Sequence, residues 1–509
     1  MNSIKSSKKL NLALNAIVKT SFIVFLSIVV SKIFTYLYRI IIAKNFGPET
    51  YGLYSLSIVV ITFCISLFGF GLNEGLSRYI PLYRGKNEFE KINYIIKKTR
   101  NIILISGIMA AILLFIFAEY ISVNILHQKE AAFFLKIFSI VIPLGILSQF
   151  YLVIIRSFEK IGLYSFINNL LQNFSRLVLL LIFMWVGLSS GAITGSYLGS
   201  VVLTVLASYF VVKGITYSMK KFISLKTKMK RNITSKLISY SWPLLFLSIL
   251  SSVLYWGDTF IIGFYRTAEE IGFYNAAIPI ASLLVLVPDI FLQLFFPLIM
   301  REYGSKRYNL IKELSKQVQK WIFFCNLPLL IIAVLFPGAL LNLLFGAEYI
   351  VAEQALRYLT IGSLFISLMI VPSNLLSMIG KSKLNLINII CMASSNIILN
   401  IFLVPLYGIE GAAISTMIVS IALYLIYIIQ VKKYLSFILL RRKMILIFLA
   451  SIIPLIIISY IKNLVSLTPL FVLLLGILFC LLYIIFVILF RGFDRNDLGI
   501  IISIKNKFF

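Results

Sequence analysis

Long apolar runs, each bounded by charged residues or by Gly and Pro, recur along the whole chain of 509 residues. A helix needs about 20 mainly apolar residues to cross the hydrocarbon core of a bilayer, and these runs reach that length. Apolar residues make up 61% of the sequence, whereas a soluble domain contains roughly 45 to 50%. The sequence therefore predicts an all-α, polytopic membrane protein.

Fourteen of these runs are predicted to be transmembrane helices. No stretch between them forms a soluble domain, because the outer loops are short and the longest inner ones continue as helix extensions and connectors. The thinnest separations are at 187–190 and 407–410. The predicted spans are 20–42, 52–72, 99–118, 133–155, 165–186, 191–212, 238–262, 271–297, 321–340, 357–379, 384–406, 411–431, 444–461 and 469–490.

The charges of the loops predict the orientation. The loops around 73–98 and 213–237 are rich in Lys and Arg, whereas the loops on the opposite side carry few, among glutamates such as Glu269 and Glu348. Lys and Arg mark the cytoplasmic side, so both termini are predicted to be cytoplasmic in a multi-pass protein of the cell membrane. This distribution accounts for the net charge of +29 without nucleic acid as a partner.

The two halves of the chain show a weak internal repeat. Gly52 opens the second predicted helix and Gly272 opens the eighth, and Gly191 and Gly411 open the sixth and the twelfth at the same offset of 220 residues. An offset of six helices makes the two copies parallel, related by an axis along the membrane normal. The predicted parts are two six-helix lobes at 1–220 and 221–440, and helices thirteen and fourteen with a cytoplasmic tail at 441–509.

The segment AKNFGPETYGLYS at residues 43–55, followed by Arg78, Tyr79 and the stretch YRGK at 83–86, resembles the polysaccharide-export family that includes O-antigen flippases. That family belongs to the same superfamily as lipid II flippases and multidrug and toxin extrusion (MATE) transporters. The resemblance implies a MATE-like transporter of six plus six plus two helices that moves lipid-linked sugars across the membrane. It does not specify the sugar.

The first predicted span carries two cations. Lys32 lies near its middle and Arg39 nearer its outer end, seven residues apart, so a helix places both on one face with Tyr36 at its edge. A charge at membrane depth costs at least about 2.5 to 3.5 kcal/mol, even on the lenient insertion scale. This face therefore indicates a polar cavity that accepts an anion. Snorkelling of either side chain toward the interface is the alternative.

The fifth predicted span carries a polar stripe that ends in a third cation. Asn169, Gln172, Asn173 and Arg176 recur at helical spacing, and the offset of 220 places Asn396 opposite Arg176. Lys and Arg supply donors for phosphate oxygens, so Arg176 is a second candidate for an anionic head group. A structural bond from Arg176 to backbone or to an Asn of a neighbouring helix is the alternative.

The seventh predicted span is polar where the first is cationic. Ser252 and Thr259 match Lys32 and Arg39 by offset, and Tyr255 lies between them at helical spacing. This asymmetry suits a substrate with an anionic head and a neutral glycan. The predicted substrate-binding residues are Lys32, Tyr36, Arg39, Asn173, Arg176, Ser252 and Tyr255.

Two aspartates are candidates for a gate or for ion coupling. Asp258 precedes the offset partner of Arg39, so the two charges are predicted to pair when the cleft is closed on the outside. The alternative is that Arg39 snorkels and Asp258 binds a neighbour within its own lobe. Asp289 follows Pro288 in the eighth span, and an aspartate in a membrane is often a proton or cation site. An ion pair or a bond that stabilises a kink is the alternative for Asp289.

These features favour a flippase that moves a polyprenyl-phosphate- or pyrophosphate-linked oligosaccharide to the outer leaflet by alternating access. A cation-coupled multidrug exporter is the alternative, but it would favour acidic residues in the first lobe. A membrane polymerase or ligase would need catalytic residues on a sizeable outer loop. No enzymatic activity, metal or cofactor is expected, and coupling to Na⁺ or H⁺ stays open. The expected partners are membrane lipids and an anionic polyprenyl-linked glycan, with a glycan polymerase or glycosyltransferases as further candidates.

Overall fold

The computed structural model describes residues 2–220, 232–464 and 469–494, and in these ranges the regular secondary structure is entirely helical. Eleven of the described helices are long and apolar enough to cross a membrane, or twelve if the pair Ala131–Ser139 and Val141–Ser157, bent by 47°, forms one span. The prediction of an all-α, multi-pass membrane protein is confirmed. Part of the predicted inner loop, 221–231, and the tail from 495 lie outside the described residues.

The α-helices are α1 (Asn2–Phe68), α2 (Leu72–Gly85), α3 (Phe89–Tyr120), α4 (Ala131–Ser139), α5 (Val141–Ser157), α6 (Ile161–Ser165), α7 (Gln172–Trp185), α8 (Ser189–Lys220), α9 (Asn232–Tyr265), α10 (Ala268–Ala281), α11 (Leu283–Gly304), α12 (Tyr308–Leu335), α13 (Pro337–Leu344), α14 (Glu353–Met378), α15 (Ser382–Leu435), α16 (Arg442–Leu464) and α17 (Pro469–Leu489). Short π-helical segments lie at Ile121–Ile125 and Phe166–Leu171, and a 3₁₀-helix lies at Ala347–Ala352.

Two of the helices, α1 and α15, each contain a break at a glycine. Gly47 (φ 77°, ψ 171°) interrupts α1 and Gly408 (φ 56°, ψ −134°) interrupts α15. At about 1.5 Å per residue each helix is long enough for two crossings, so each accounts for two predicted spans. The break at Gly408 lies in the predicted separation 407–410. The predicted separation 187–190 is also observed, because the chain between α7 and α8 contains Gly187 with a positive φ. The total of fourteen spans stays a prediction.

The chain divides into two compact units, Met1–Gly272 and Phe273–Phe509. The first unit includes α9, which packs against α1 and α2. The repeat boundary at residue 220 comes from sequence offsets, and the proposed lobes 1–220 and 221–440 stay a prediction. The position of α9 matters for the site, because it brings Tyr255 and Asp258 into the same compact unit as Lys32 and Arg39.

Small residues let α9 approach its neighbours closely within the first unit. A β-carbon at Gly71 (φ 62°) would lie 2.4 Å from the carbonyl oxygen of Ser241, and one at Gly75 would lie 2.2 Å from its hydroxyl oxygen. Farther along the same contact, the hydroxyl oxygens of Ser66 and Ser252 are 2.7 Å apart. Such distances leave no space for larger side chains, so these positions fix α2 and α1 against α9.

The second unit joins the predicted helices thirteen and fourteen, observed as α16 and α17, to α12. Their apolar core includes Leu327, Ile447, Phe479 and Tyr483, all at most 1% exposed. At one end of this core the ammonium nitrogen of the buried Lys320 lies 3.1 Å from a carboxylate oxygen of Asp494. The two extra helices are therefore part of a packed unit.

Candidate functional site

Helix α1 presents two neighbouring polar faces in its first span. Ser31 and Tyr38 are buried, whereas Lys32, Tyr36 and Arg39 are half-buried. The seven-residue spacing keeps Lys32 and Arg39 on one side of the helix. In the part of the chain that the structure describes, Lys32 takes part in no hydrogen bond or ion pair. An ammonium group on this face is therefore available to a ligand.

Arg176 is held by side chains of two other helices. Its Nε donates to the hydroxyl oxygen of Ser200 at 3.3 Å. Its guanidinium carbon lies 4.2 Å from the ring centre of Tyr197 and 5.8 Å from that of Tyr38. A cation–π contact of this kind contributes about 0.5 to 2 kcal/mol, the larger value where water is excluded. The contact to backbone or Asn, considered as the structural alternative, is not the arrangement observed.

Most of the donor capacity of Arg176 is left unused by this anchoring. A guanidinium has five N–H donors and no acceptor, and the hydrogen bond to Ser200 uses one of them. Among the described residues no further hydrogen-bond acceptor or carboxylate engages this side chain. Tyr197 and Ser200 thus orient a partly buried cation whose other donors remain open to oxyanions.

An aromatic cluster surrounds this cation. The ring centres of Tyr38 and Tyr54 are 6.1 Å apart, those of Tyr54 and Tyr197 are 6.3 Å apart, and those of Phe138 and Tyr197 are 5.2 Å apart. The hydroxyl oxygen of Tyr38 lies 3.2 Å from that of Ser196. The cluster therefore ties α1, α4 and α8 together around Arg176.

Sequence reasoning missed these aromatic residues as part of the site. Tyr54 lies in the segment at 43–55 that carries the family resemblance, and Tyr38 directly precedes Arg39. The positions of Tyr38 and Tyr54 in the sequence could have marked them as site residues. Nothing in the sequence distinguishes Tyr197 from other tyrosines in apolar spans.

Arg39 lies among tyrosine hydroxyls. It forms a side-chain hydrogen bond with Tyr51, and it is close enough to Tyr36, Tyr54 and Tyr255 for its charge to act on their hydroxyl groups. The structure therefore brings three predicted site residues, Tyr36, Arg39 and Tyr255, close together. Tyr54 lies within electrostatic range of both Arg39 and Arg176, and so connects the two cations.

Asn173 and Ser252 fasten helices to one another. The Asn173 amide donates to the Ser31 hydroxyl at 2.8 Å and to the Asn169 carbonyl at 2.9 Å, and so joins α7 to α1. The turn before it is the π-helical segment Phe166–Leu171, a feature that is frequent at functional sites. Ser252 is buried in the contact between α1 and α9. The role of both residues in substrate binding stays a prediction.

The two candidate aspartates have different surroundings. Asp258 is half-buried on α9 in the first unit, whereas Asp289 is exposed on α11 in the second. Both make a polar or electrostatic interaction in the structure. The predicted pairing of Arg39 with Asp258 stays a prediction, as does ion coupling at Asp289.

The second unit carries neutral groups where the first carries Arg176. Asn396, at the offset position, donates to the hydroxyl of Thr416 at 3.1 Å and accepts from the Asn400 amide at 3.1 Å. The described residues contain no cluster of three potential metal ligands among His, Cys, Asp and Glu. The stripe that ends in a cation in the first unit is therefore matched in the second by an amide and hydroxyl network.

Comparison with known protein families identifies the chain. The family model described as polysaccharide biosynthesis protein matches residues 17–302, which is more than half of the sequence. The chain belongs to the polysaccharide biosynthesis protein family. A second family model, MatE, matches residues 243–402.

Individual proteins agree with this assignment. A putative O-antigen transporter of Shigella flexneri is 25% identical over 384 residues, which cover 74% of this chain and 88% of the relative. The solved structure of the lipid II flippase MurJ in an inward closed conformation has a TM-score of 0.71 and 19% identity, over 92% of this chain and 99% of that one. An inward-facing multidrug resistance transporter of the MATE family has a TM-score of 0.65 and 17% identity, over 81% and 98%. The predicted MATE-like fold is confirmed, and the relatives are transporters rather than enzymes.

Proposed function

We propose that this protein is a flippase that moves a polyprenyl-phosphate- or pyrophosphate-linked oligosaccharide from the cytoplasmic to the outer leaflet by alternating access. The observation that carries the proposal is the group of cations in the first unit: Arg176 anchored by Tyr197 and Ser200, Arg39 among tyrosines, and Lys32, which has no hydrogen-bond or ion-pair partner among the described residues. The names of its relatives, an O-antigen transporter and, among solved structures, a lipid II flippase, support the same substrate class.

The chemistry of the substrate explains why three cations are useful. A phosphate or pyrophosphate that leaves water loses hydration, and charge-assisted hydrogen bonds from Arg and Lys replace part of it. The planar guanidinium of Arg176 suits two phosphate oxygens at once, whereas the Lys32 ammonium acts as a point charge. The glycan needs hydrogen bonds and aromatic faces rather than charge, and tyrosines around Arg39 supply both.

The membrane setting follows from the same proposal. The site faces the cytoplasmic membrane's inner leaflet at the start of the cycle, with both termini in the cytoplasm. Membrane lipids surround the protein, and a glycan polymerase or glycosyltransferases of the same pathway act before or after transport. The loop charges support this orientation.

A cation-coupled multidrug exporter is the second candidate, since the fold is shared with MATE transporters. Its cationic substrates would be repelled by Lys32, Arg39 and Arg176. The two functions therefore make opposite predictions for removal of these positive charges. A flippase should lose transport, whereas an exporter of cationic drugs should keep or gain it.

The test uses Lys32→Ala and Arg176→Ala in cells that depend on this protein for surface glycan. Both variants should reduce export while their abundance in the membrane stays near that of the wild type. Lys136→Ala is the matched control, because Lys136 carries the same charge but pairs with Glu119 at the surface. Arg176→Lys, which keeps the charge but not the planar fork, should have an intermediate effect.

Normal export by both alanine variants would refute the phosphate-binding role. Drug susceptibility of the same strains separates the candidate functions. Greater drug sensitivity without the protein, together with unchanged surface glycan, would favour the exporter.

A further inference from the structure

Arg78 lies on the exposed side of α2 and stacks on a ring of α9. Its guanidinium carbon is 4.2 Å from the ring centre of Tyr240 and 5.8 Å from that of Tyr79. The side chain is exposed, and within the described residues no acceptor receives a hydrogen bond from it. One face of the guanidinium is thus fixed by an aromatic ring, and its donors are not used by any residue that the structure describes.

Three tyrosines form the base on which Arg78 rests. The rings of Tyr79 and Tyr83 stack with centres 5.8 Å apart and planes at 26°, and Tyr79 meets Tyr240 edge to face at 5.8 Å. The Tyr79 hydroxyl donates to the carbonyl oxygen of Lys236 at 3.4 Å. We call Arg78, Tyr79, Tyr83 and Tyr240 the Arg78 platform. The tight packing of α2 on α9 at Gly71 and Gly75 holds the residues of the platform on α2 beside Tyr240 on α9.

Neighbouring cations differ from Arg78 in having acidic partners. Arg84 lies 3.6 Å from a carboxylate oxygen of Glu159, and Lys91 lies 2.6 Å from one of Glu88. The acid nearest to Arg78 along α2 is Glu74, one turn earlier, and the described residues show no ion pair between the two. No acidic side chain of the described residues therefore balances the charge of Arg78, and this charge is available to a ligand from outside the chain.

The surface of α2 has the character of an interfacial helix. Its buried face includes Leu76, Ile80 and Tyr83, whereas Pro81 and Leu82 are exposed beside Arg78. An amphipathic helix with basic and apolar exposed residues lies where lipid head groups meet acyl chains. The loop charges predict that this end of the protein is cytoplasmic, where anionic lipids attract Lys and Arg.

We propose that the Arg78 platform binds the phosphate group of a membrane-anchored lipid in the cytoplasmic leaflet. The guanidinium would engage two phosphate oxygens, and the exposed Leu82 and Pro81 would contact the first methylene or isoprene groups. Two lipids share this chemistry, an anionic phospholipid and a polyprenyl-phosphate carrier. The second source rests on the proposed function and would make the platform a site where the substrate is first captured.

The experiment measures lipid retention by the purified full-length protein in native mass spectrometry. The probes are phosphatidylglycerol, a polyprenyl phosphate and the zwitterionic phosphatidylcholine. Arg78→Gln should weaken retention of at least one of the two anionic probes by about tenfold, the cost of a lost charge-assisted pair, and leave phosphatidylcholine unchanged. Tyr240→Leu removes the ring beneath the guanidinium and should weaken the same probe by about fivefold.

Arg156→Gln is the matched control, because Arg156 is also exposed but its guanidinium carbon lies farther from an aromatic ring, 5.9 Å from the ring centre of Tyr164. A loss restricted to polyprenyl phosphate in the Arg78 variant assigns the site to the substrate, and an equal loss of both anionic lipids assigns it to lipid phosphates in general. Unchanged retention in Arg78→Gln, or the same loss in Arg156→Gln, would overturn the proposal. Neither result depends on whether Lys32 and Arg176 support export, so the two proposals fail independently.

Discussion

Gly52 and Gly272 make reciprocal contacts, each against the segment that precedes the other. A β-carbon at Gly52 would lie 1.7 Å from the carbonyl oxygen of Ala268, and one at Gly272 would lie 2.0 Å from that of Pro48. Gly272 lies four residues after Ala268, and Gly52 lies four residues after Pro48. Pro48 and Ala268 are 220 residues apart, as are Gly52 and Gly272, and 220 is the offset of the repeat. Small residues spaced in this way allow two helices to cross with their backbones in contact. The contact therefore brings two segments related by the sequence offset into backbone contact.

We predict that Gly52→Ala and Gly272→Ala each abolish most transport. The added methyl group cannot fit against a backbone carbonyl, so the crossing cannot close, and alternating access requires both a closed and an open state. Surface glycan is the measurement, with membrane abundance measured in parallel. Gly214→Ala is the control, since a β-carbon there would meet no atom of another described segment within 4 Å. Export by the Gly52 and Gly272 variants equal to that of the Gly214 variant would show that the crossing does not take part in the cycle.

The anchoring of Arg176 leads to a second prediction, on Tyr197. Tyr197→Phe keeps a ring below the guanidinium at 4.2 Å and should export normally. Tyr197→Leu loses the cation–π contact, which is worth about 0.5 to 2 kcal/mol, and should weaken substrate binding by roughly 2- to 30-fold. The double variant Tyr197→Leu, Arg176→Ala should be no worse than Arg176→Ala alone. Additive losses would instead show that Tyr197 acts independently of Arg176.

The sequence predicts much of the fold, because apolar runs and glycine breaks are local signals. The break at Gly408 and the polar stripe ending at Arg176 follow directly from spacing along one helix. The partners of Arg176 do not, because Tyr38 and Tyr197 come from other helices and their approach depends on packing between distant segments. The same limit applies to α9, whose contact with α1 depends on the space left by small residues.

A third prediction concerns the junction of the two extra helices with α12. The side chain of Lys320 is 1% exposed, and its ammonium nitrogen lies 3.1 Å from a carboxylate oxygen of Asp494. The same oxygen lies 3.4 Å from a guanidinium nitrogen of Arg441. Asp494→Asn removes the carboxylate charge beside a buried ammonium group, a change that costs up to about 3 to 5 kcal/mol. It should lower the Tm of the detergent-solubilised protein by several degrees.

Glu313→Gln is the control for this junction, because Glu313 also faces Arg441, at 3.7 Å, but 56% of its side chain is exposed. Such a surface pair contributes at most about 1 kcal/mol, so its loss should barely change the Tm. Equal decreases in Tm for the two variants would mean that the burial of Lys320 does not determine how much these ion pairs stabilise the protein.

A fourth prediction concerns topology. Single cysteines replacing Glu269 or Glu348 should react with a membrane-impermeant thiol reagent in intact cells, whereas a cysteine replacing Lys86 should react only after lysis. All three positions are exposed, so lack of access would reflect the membrane and not burial. The background must lack the four native cysteines, Cys64, Cys325, Cys391 and Cys480. Labelling at position 86 without labelling at position 348 would reverse the orientation.

The last prediction returns to Arg39 and Asp258, which the sequence relates by the repeat and which lie in the same compact unit. Arg39 already has a partner in Tyr51, so a gate that forms the ion pair must compete with that bond. A partly shielded pair would bias the two-state equilibrium by about 1 to 3 kcal/mol, or about 5- to 150-fold.

Charge exchange separates a gate from two independent side chains. Arg39→Asp and Asp258→Arg should each impair export, and the double exchange should recover part of it because the opposite charges face each other again. Tyr51→Phe serves as the comparison, since it removes the competing hydrogen bond without changing charge and should reduce export less than either exchange. If the double exchange exports no better than the poorer single variant, then Arg39 and Asp258 act separately. Arg39 would in that case belong to the substrate site through its tyrosine neighbours.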